Sequence, residues 1–208
     1  MSGVTWRASG LASPLARCLA IGAALLFAGS TAVVALAGET RDAREIPLVD
    51  QTGATFRLED LRGRPTVLTF VASRCTDACP IANAEFALTR EALRRDGIPA
   101  RLVTVTLDPE YDTPFVMNAV ARSFHADPAG WIFASGRPRD VHRLMQSLHI
   151  VAQTGKAGYP DVHTTFVYVL DAQQRLTHQL LLSTNVTLAL ERLLSQRKVA
   201  RRAAKRFG

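Results

Sequence analysis

Two continuous runs of β-branched and aromatic residues, at residues 65–72 and 100–107, dominate the hydrophobic pattern of the chain. Such runs are typical of central strands that are buried on both faces of a sheet. Each run is followed by a segment with apolar residues at helical spacing, which for the first begins at Ile81 and stops at Asp96-Gly97. Strands that alternate with helices predict an α/β fold.

The remaining elements follow from the same pattern. Further strands are predicted within residues 46–58, turning at Thr52-Gly53, and at residues 131–134, 164–170 and 176–182. Further helices are predicted at residues 114–124, with Phe115, Val116 and Val120 on one face, and at residues 140–150 and 188–197. The last two strands flank only residues 171–175 and must pair antiparallel, so the predicted sheet is mixed.

The N-terminal segment predicts export from the cytoplasm. Residues 18–37 are all apolar or small. The segment before them contains Arg7 and Arg17 and no acidic residue. A run of 20 residues is long enough to span a bilayer at ~1.5 Å per residue, which favours an uncleaved anchor. Ala35-Leu36-Ala37 equally resembles a signal-peptide cleavage site, and an acid-free leader is also compatible with mitochondrial import. In each case the folded part works where disulfides persist.

Charge is distributed unevenly along the 208 residues. The net charge is +7, but residues 38–190 hold 16 of the 25 basic and 17 of the 18 acidic residues, so the folded part is close to neutral. A nucleic-acid-binding face is therefore not expected. We divide the chain into a signal or anchor (1–37), a linker (38–45), one folded domain (46–196) and a basic tail (197–208). The tail is interpreted as a solvated, fraying helix end, with contact to anionic lipid or an acidic partner as the alternative.

Cys75 and Cys79 form the most specific chemical motif. They lie between a buried strand and a helix, and Pro80 suits the first helical turn. The helix N-terminus, with Arg74 beside the first thiol, is expected to stabilise thiolates, the form that reacts and binds metals. The pair can close as a disulfide or bind a metal ion; a merely stabilising disulfide would gain little from so small a ring.

Two thiolates need a third ligand, and His163 is the strongest of five histidines. His125, His142 and His149 fall at or on predicted helices, and His178 alternates within a late strand. His163 opens the predicted strand 164–170, where a side chain can reach the edge of the sheet that carries residues 72–79, the thiol loop. Two soft thiolates and one imidazole suit copper, above all Cu(I), or zinc.

These residues resemble the Sco/SenC family of copper-binding proteins, which serve assembly of the dinuclear copper centre of cytochrome c oxidase. The resemblance covers residues 45–185. Its motifs are Cys75-x-x-x-Cys79-Pro80 with Asp77 inside it, the segment from Leu107 to Pro114, and the His163 strand that ends at Asp171. It implies a thioredoxin-like fold, an N-terminal membrane anchor, and a copper ion held by Cys75, Cys79 and His163. It also implies delivery of copper to, or thiol reduction at, the copper-site subunit of the oxidase. We expect a carrier rather than an enzyme, which acts in the periplasm on that subunit or on another cuproprotein.

Three departures and one alternative accompany the resemblance. The segment before His163, residues 153–159, is short and contains glycine and lysine, so the loop over the site is expected to differ. Thr76 stands where the family usually has proline, and Arg74 where an aromatic residue often precedes the first cysteine. The alternative is a thiol–disulfide oxidoreductase in which Cys75 and Cys79 are the redox-active pair, a thioredoxin-like reductant is the partner, and copper is not needed. Between Asp108 and Pro114, Asp112 or Thr113 is expected to cap the following helix rather than to bind metal.

Overall fold

The structure is a computed structural model that describes residues 43–76, 78–156, 158–163, 166–183 and 185–207; for residues 161–163 and 197–207 the description covers the backbone. The predicted signal or anchor segment with Cys18, and Asp77 of the cysteine motif, lie outside the described residues. Within the described ranges, no helix combines the length and the apolar character needed to cross a bilayer.

A mixed seven-stranded sheet forms the centre of the domain, in the order β2-β1-β5-β4-β3-β8-β9. Strands β3, β4 and β5 run parallel, and the other pairs in this sheet are antiparallel. Strands β6 and β7 form a separate antiparallel hairpin. The strands are β1 Leu48–Asp50, β2 Thr55–Phe56, β3 Thr66–Val71, β4 Arg101–Thr106, β5 Trp131–Ser135, β6 Ala152–Thr154, β7 Pro160–His163, β8 Phe166–Leu170 and β9 Leu176–Leu181. The predicted mixed sheet is confirmed.

Helices cover both faces of the sheet, because the central strands are apolar on both sides. The helices are α1 Ala78–Arg95, α2 Pro114–Ser123, α3 Pro138–Ser147 and α4 Val186–Phe207. Every residue of β3 is buried: Val67 joins a core cluster with apolar residues of α1, α2 and α4, and Leu68 joins a second cluster with residues of α3. The two clusters place β3 in the middle layer, as its continuous apolar run predicts.

The buried face of α2 differs from the prediction. Phe115 is 79% exposed, whereas Met117 and Ala121 are buried against the sheet. Positions four residues apart lie on one face of a helix, and a position two residues away points to the opposite side. The predicted face of Phe115, Val116 and Val120 is therefore wrong for Phe115.

Both ends of the described domain also differ from the prediction. Residues 43–45, assigned to the linker, are helical, and Ala43 is buried in the core cluster of α3. At the other end α4 continues through the basic tail to Phe207, ten residues beyond the predicted end at residue 197. Residues 197–207 contain no glycine or proline, and alanine, arginine and lysine favour helix.

Candidate metal centre

The two thiols lie at the carboxyl end of the central strand. Cys75 is in the loop after β3, and Cys79 is the second residue of α1, followed by Pro80 in the first turn. Both cysteines are buried, with 7% and 3% of their surface exposed. They line a cleft of about 300 Å³ between α1 and α2, whose far side includes Phe124. The predicted position of both cysteines is confirmed.

The environment of Cys79 disfavours its thiolate. Burial raises the pKa of Cys79 to about 12, although the backbone N–H of Ala72 donates a hydrogen bond to the sulfur over 3.3 Å. A hydrogen bond with the Cys75 side chain raises the pKa further. Burial therefore opposes the thiolate stabilisation that the helix N-terminus is expected to give Cys79.

Arg74 does not supply the positive charge that the sequence suggested for the thiols. Its guanidinium pairs with the buried Asp108, through Nε at 3.1 Å and Nη2 at 2.6 Å from one carboxylate oxygen. Nη2 also donates to the carbonyl of Gly158 over 3.1 Å. The guanidinium carbon lies 4.4 Å from the ring centre of Tyr111 and 5.5 Å from that of Tyr159. Arg74 thus connects the thiol loop with two other segments.

Asp112, which lies with Asp108 in the loop after β4, anchors the thiol loop. It is fully buried, and its carboxylate accepts hydrogen bonds from the backbone and hydroxyl of Ser73 and from the hydroxyl of Thr106. Burial raises the pKa of Asp112, and these three donors offset part of that shift. The predicted choice between two caps is settled: Thr113 caps α2 by accepting from the N–H of Val116, and Asp112 instead fixes the loop two residues before Cys75.

Sequence reasoning missed the structural role of this pair of carboxylates. Asp108 and Asp112 follow strand β4, which is parallel to β3 and adjacent to it. Carboxyl ends of adjacent parallel strands meet at one edge of a sheet. Two acidic residues placed directly after the second buried run were therefore the signal that could have found them.

His163 is brought to the same end of the sheet by its backbone. It is the last residue of β7 and pairs with Ala152, rather than opening the next strand as predicted. Strand β8 begins three residues later at Phe166, whose carbonyl accepts a hydrogen bond from the Thr69 hydroxyl in the carboxyl-terminal half of β3. The His163 side chain lies outside the description, and among the described side chains no three His, Cys, Asp or Glu residues form a group that could hold a metal ion.

The other four histidines lie elsewhere in the fold. His125 and His149 follow the ends of α2 and α3 with positive φ values of 50° and 54°. His142 is on α3, with Nε2 3.7 Å from a Glu110 carboxylate oxygen, and half of its side chain is exposed. His178 in β9 is half-buried rather than facing solvent as expected. None of these four histidines lines the cleft that contains Cys75 and Cys79.

The mixed sheet, with a helix that begins at the second cysteine after the central parallel strand, defines a thioredoxin-like fold that carries its thiols at the carboxyl end of β3. Comparison with known proteins then gives the family. The SCO1/SenC family model matches residues 36–196, and the chain belongs to that family.

Individual relatives are distant in sequence and similar in fold. The SCO2-like protein of Rickettsia felis is 25% identical over 133 residues, which cover 62% of this chain and 63% of the relative. The protein SenC of Rhodobacter capsulatus is 24% identical over 127 residues, which cover 60% and 56% of the two chains. The chain thus matches less than two thirds of the length of these curated relatives.

Among solved structures, copper-bound ScoI of Bradyrhizobium japonicum is 25% identical, with a TM-score of 0.61 over 72% of this chain and 96% of that one. Copper-bound ScoI of Arabidopsis thaliana is 19% identical, with a TM-score of 0.66 over 73% and 96% of the two chains. The second likeness concerns the fold alone. Both confirm the thioredoxin-like architecture.

Proposed function

We propose that this protein binds a copper ion through Cys75, Cys79 and His163 and delivers it during assembly of the copper centre of cytochrome c oxidase. The observation that carries the proposal is the convergence of two buried thiols and the end of strand β7 at the carboxyl end of β3. Membership of the SCO1/SenC family and the copper held by a 25% identical ScoI structure support the choice of metal.

The donor set agrees with copper on chemical grounds. Thiolates are soft ligands that suit Cu(I), and imidazole adds a harder donor that also suits Cu(II). The two sulfurs are buried at the wall of an open, largely apolar cleft, which limits their contact with water. Since the ligands come from two separate segments, the site can open on the histidine side for an acceptor protein while the thiols hold the ion.

Copper loading of the full chain in detergent tests this function. The reduced protein is loaded with Cu(I) and with Cu(II), and bound copper per chain is measured for the parent and for Cys75→Ala, Cys79→Ala and His163→Ala. We expect one copper per chain, lost in the cysteine variants, with His163→Ala weakening Cu(II) binding more than Cu(I) binding. Cys18→Ser is the matched control, because it removes the third thiol outside the motif.

One observation favours a second candidate, a thiol–disulfide oxidoreductase with Cys75 and Cys79 as its redox pair. The two cysteine side chains are hydrogen-bonded to one another and so are neighbours in the fold. The pKa of about 12 at Cys79 argues against rapid attack by that thiol at neutral pH, since the thiolate is the nucleophile. A parent protein that binds no copper but cycles a Cys75–Cys79 disulfide would favour this second function.

We place the domain outside the cytoplasm, on the periplasmic side of the cell membrane. Residues 1–37 would hold it there as an anchor or would be removed after Ala37; import into mitochondria is the less favoured alternative. The folded domain would then comprise residues 46–196 together with the buried Ala43, and the basic tail, residues 197–208, would prolong its last helix. Intact-mass measurement of the protein purified from membranes tests the first point, because cleavage after Ala37 leaves a chain that begins at Gly38.

A further inference from the structure

We propose that Arg74 is a positioning residue of the metal site, which holds the β6–β7 hairpin that carries His163 against the loop that carries Cys75. The inference rests on the proposed function for its effect on copper. The contact itself is independent of copper and can be tested in the metal-free protein.

One guanidinium joins three segments that are distant in sequence. Arg74 is the residue before Cys75, and its partner Asp108 lies 34 positions later in the loop after β4. The hairpin contributes the Gly158 carbonyl, 3.1 Å from Nη2, and the half-buried ring of Tyr159, 5.5 Å from the guanidinium carbon. Gly158 and Tyr159 immediately precede β7, the strand that ends at His163.

The geometry requires an arginine rather than any cation. The planar guanidinium donates in its plane to a carboxylate and to a carbonyl, and it also lies near the rings of Tyr111 and Tyr159. A lysine ammonium is a point charge that lacks this fork and stacks poorly. Asp108 is itself fixed, since only 6% of it is exposed and its backbone N–H donates to the Thr106 hydroxyl.

The hairpin needs such a contact because it is separate from the main sheet. Its two strands pair only with each other, with an irregular register between Gln153 and Thr154, and these two residues are exposed. A two-stranded hairpin alone is only marginally stable in water. Ala152 and Tyr159 pack against the core cluster of α3, and Arg74 adds the polar link to the thiol loop.

Loss of this link is expected to affect the two oxidation states of copper differently. When the hairpin loosens, the effective concentration of the imidazole at the two sulfurs falls, while the thiolates remain in place. Cu(II) depends more on the imidazole, whereas two thiolates still hold Cu(I). Arg74 therefore sets the preference of the site between Cu(I) and Cu(II), as well as its geometry.

The test uses the full chain in detergent and four variants. Arg74→Ala removes the link, Asp108→Asn removes the charge that fixes the guanidinium, Arg74→Lys keeps the charge alone, and Arg90→Lys is the matched control. Arg90 makes the same kinds of contact, 2.7 Å to the His125 carbonyl and 5.5 Å to the ring centre of Trp131, but it lines a different cleft. Affinities for Cu(I) and Cu(II) are measured by competition with chelators, and the Cu(II) form by electron paramagnetic resonance.

We expect Arg74→Ala and Asp108→Asn to weaken Cu(II) binding by about tenfold, and Cu(I) binding by less than about threefold, with an altered Cu(II) spectrum. Arg74→Lys should recover only part of the loss, and Arg90→Lys should match the parent. In a His163→Ala background, Arg74→Ala should have no further effect on Cu(II). Equal losses for both oxidation states, or the same loss without His163, would overturn the proposal.

Hydrogen exchange of the metal-free protein separates this inference from the proposed function. Amides of residues 152–154 and 161–163 should exchange faster in Arg74→Ala than in the parent, while those of β3 remain protected. If the parent binds no copper, the proposed function fails, and the exchange rates alone then support or overturn the contact. If circular dichroism shows that Arg74→Ala does not fold, copper affinity and hydrogen exchange are both measured on Asp108→Asn instead.

Discussion

The thiol loop and the β6–β7 hairpin, which carry the three proposed copper ligands, are held in place by opposite means. The thiol loop is fixed by buried groups: Asp112 binds Ser73, and the N–H of Ala72 donates to the Cys79 sulfur. The hairpin forms a two-stranded sheet of its own, and its tip is closed by Gly155 and Gly158. The first region belongs to the core of the domain, and the second is attached to its surface.

For the proposed copper site, this difference suggests a way to hold the ion and also to release it. A rigid pair of soft ligands would keep the ion bound, while a ligand on a weakly attached hairpin would leave without disturbing the core. Local opening of the hairpin is then expected to cost less free energy than global unfolding. Variants in the two regions should therefore separate into effects on stability and effects on metal preference.

The largest expected effect is the pH dependence of Cu(I) binding at the thiol side. Cys79 must lose a proton with a pKa of about 12 to bind copper as thiolate. Below that value its deprotonation alone should raise the apparent affinity about tenfold per pH unit, or about 100-fold (about 2.7 kcal/mol) between pH 6 and 8. Competition titrations in the His163→Ala variant measure this slope, to which Cys75 adds the proton that it releases as the second thiolate ligand. An affinity independent of pH would show that Cys79 does not bind as thiolate.

Next in size is the loss of the buried carboxylate that anchors the thiol loop. Asp112→Ala leaves the Ser73 N–H and two hydroxyls without their acceptor, and we expect the free energy of unfolding to fall by about 2 kcal/mol. Urea denaturation of the metal-free protein measures this change. Glu110→Ala in the same loop is the control, because that side chain is 58% exposed and should change stability by less than about 0.5 kcal/mol. Equal stability of the two variants would contradict a core-like thiol loop.

A substitution in the hairpin should change the free energy of unfolding less than Asp112→Ala does. Tyr159→Leu removes the ring near Arg74, and we expect faster hydrogen exchange in residues 152–154 with a change below about 1 kcal/mol in global stability. Tyr111→Leu is the matched comparison, since Tyr111 also contacts Arg74 but belongs to the loop after β4. Exchange that quickens throughout β3 in Tyr159→Leu would mean that the hairpin is part of the core.

Local pattern predicted the thiol side of the site better than the histidine side. Residues 65–72 and the Cys75–Pro80 motif form a buried strand and a helix start, and each is determined by residues close in sequence. The partners of Arg74 lie 34 and 84 positions away, so neighbouring residues could not reveal that its charge is used there rather than at the thiols. His163 was placed at the start of one strand and lies at the end of another, because residues 152–163 lack the strong alternation that marks a hairpin.

The smallest predicted effect provides a pH reference outside both regions. Asp171 follows β8 at the end of the sheet opposite the thiols, and although burial tends to raise its pKa, hydrogen bonds from the Arg175 and Gln173 backbones and the Arg175 guanidinium hold it below its usual value. A lowered pKa in the folded state adds stability above the unfolded pKa, and this contribution is lost as the pH falls through the folded value. As the pH falls below 5, the free energy of unfolding of the parent should therefore decrease more than that of Asp171→Asn. The difference is measured from the urea midpoints of both proteins at several pH values. If the two plots of midpoint against pH are parallel, other carboxylates cause the loss of stability in acid.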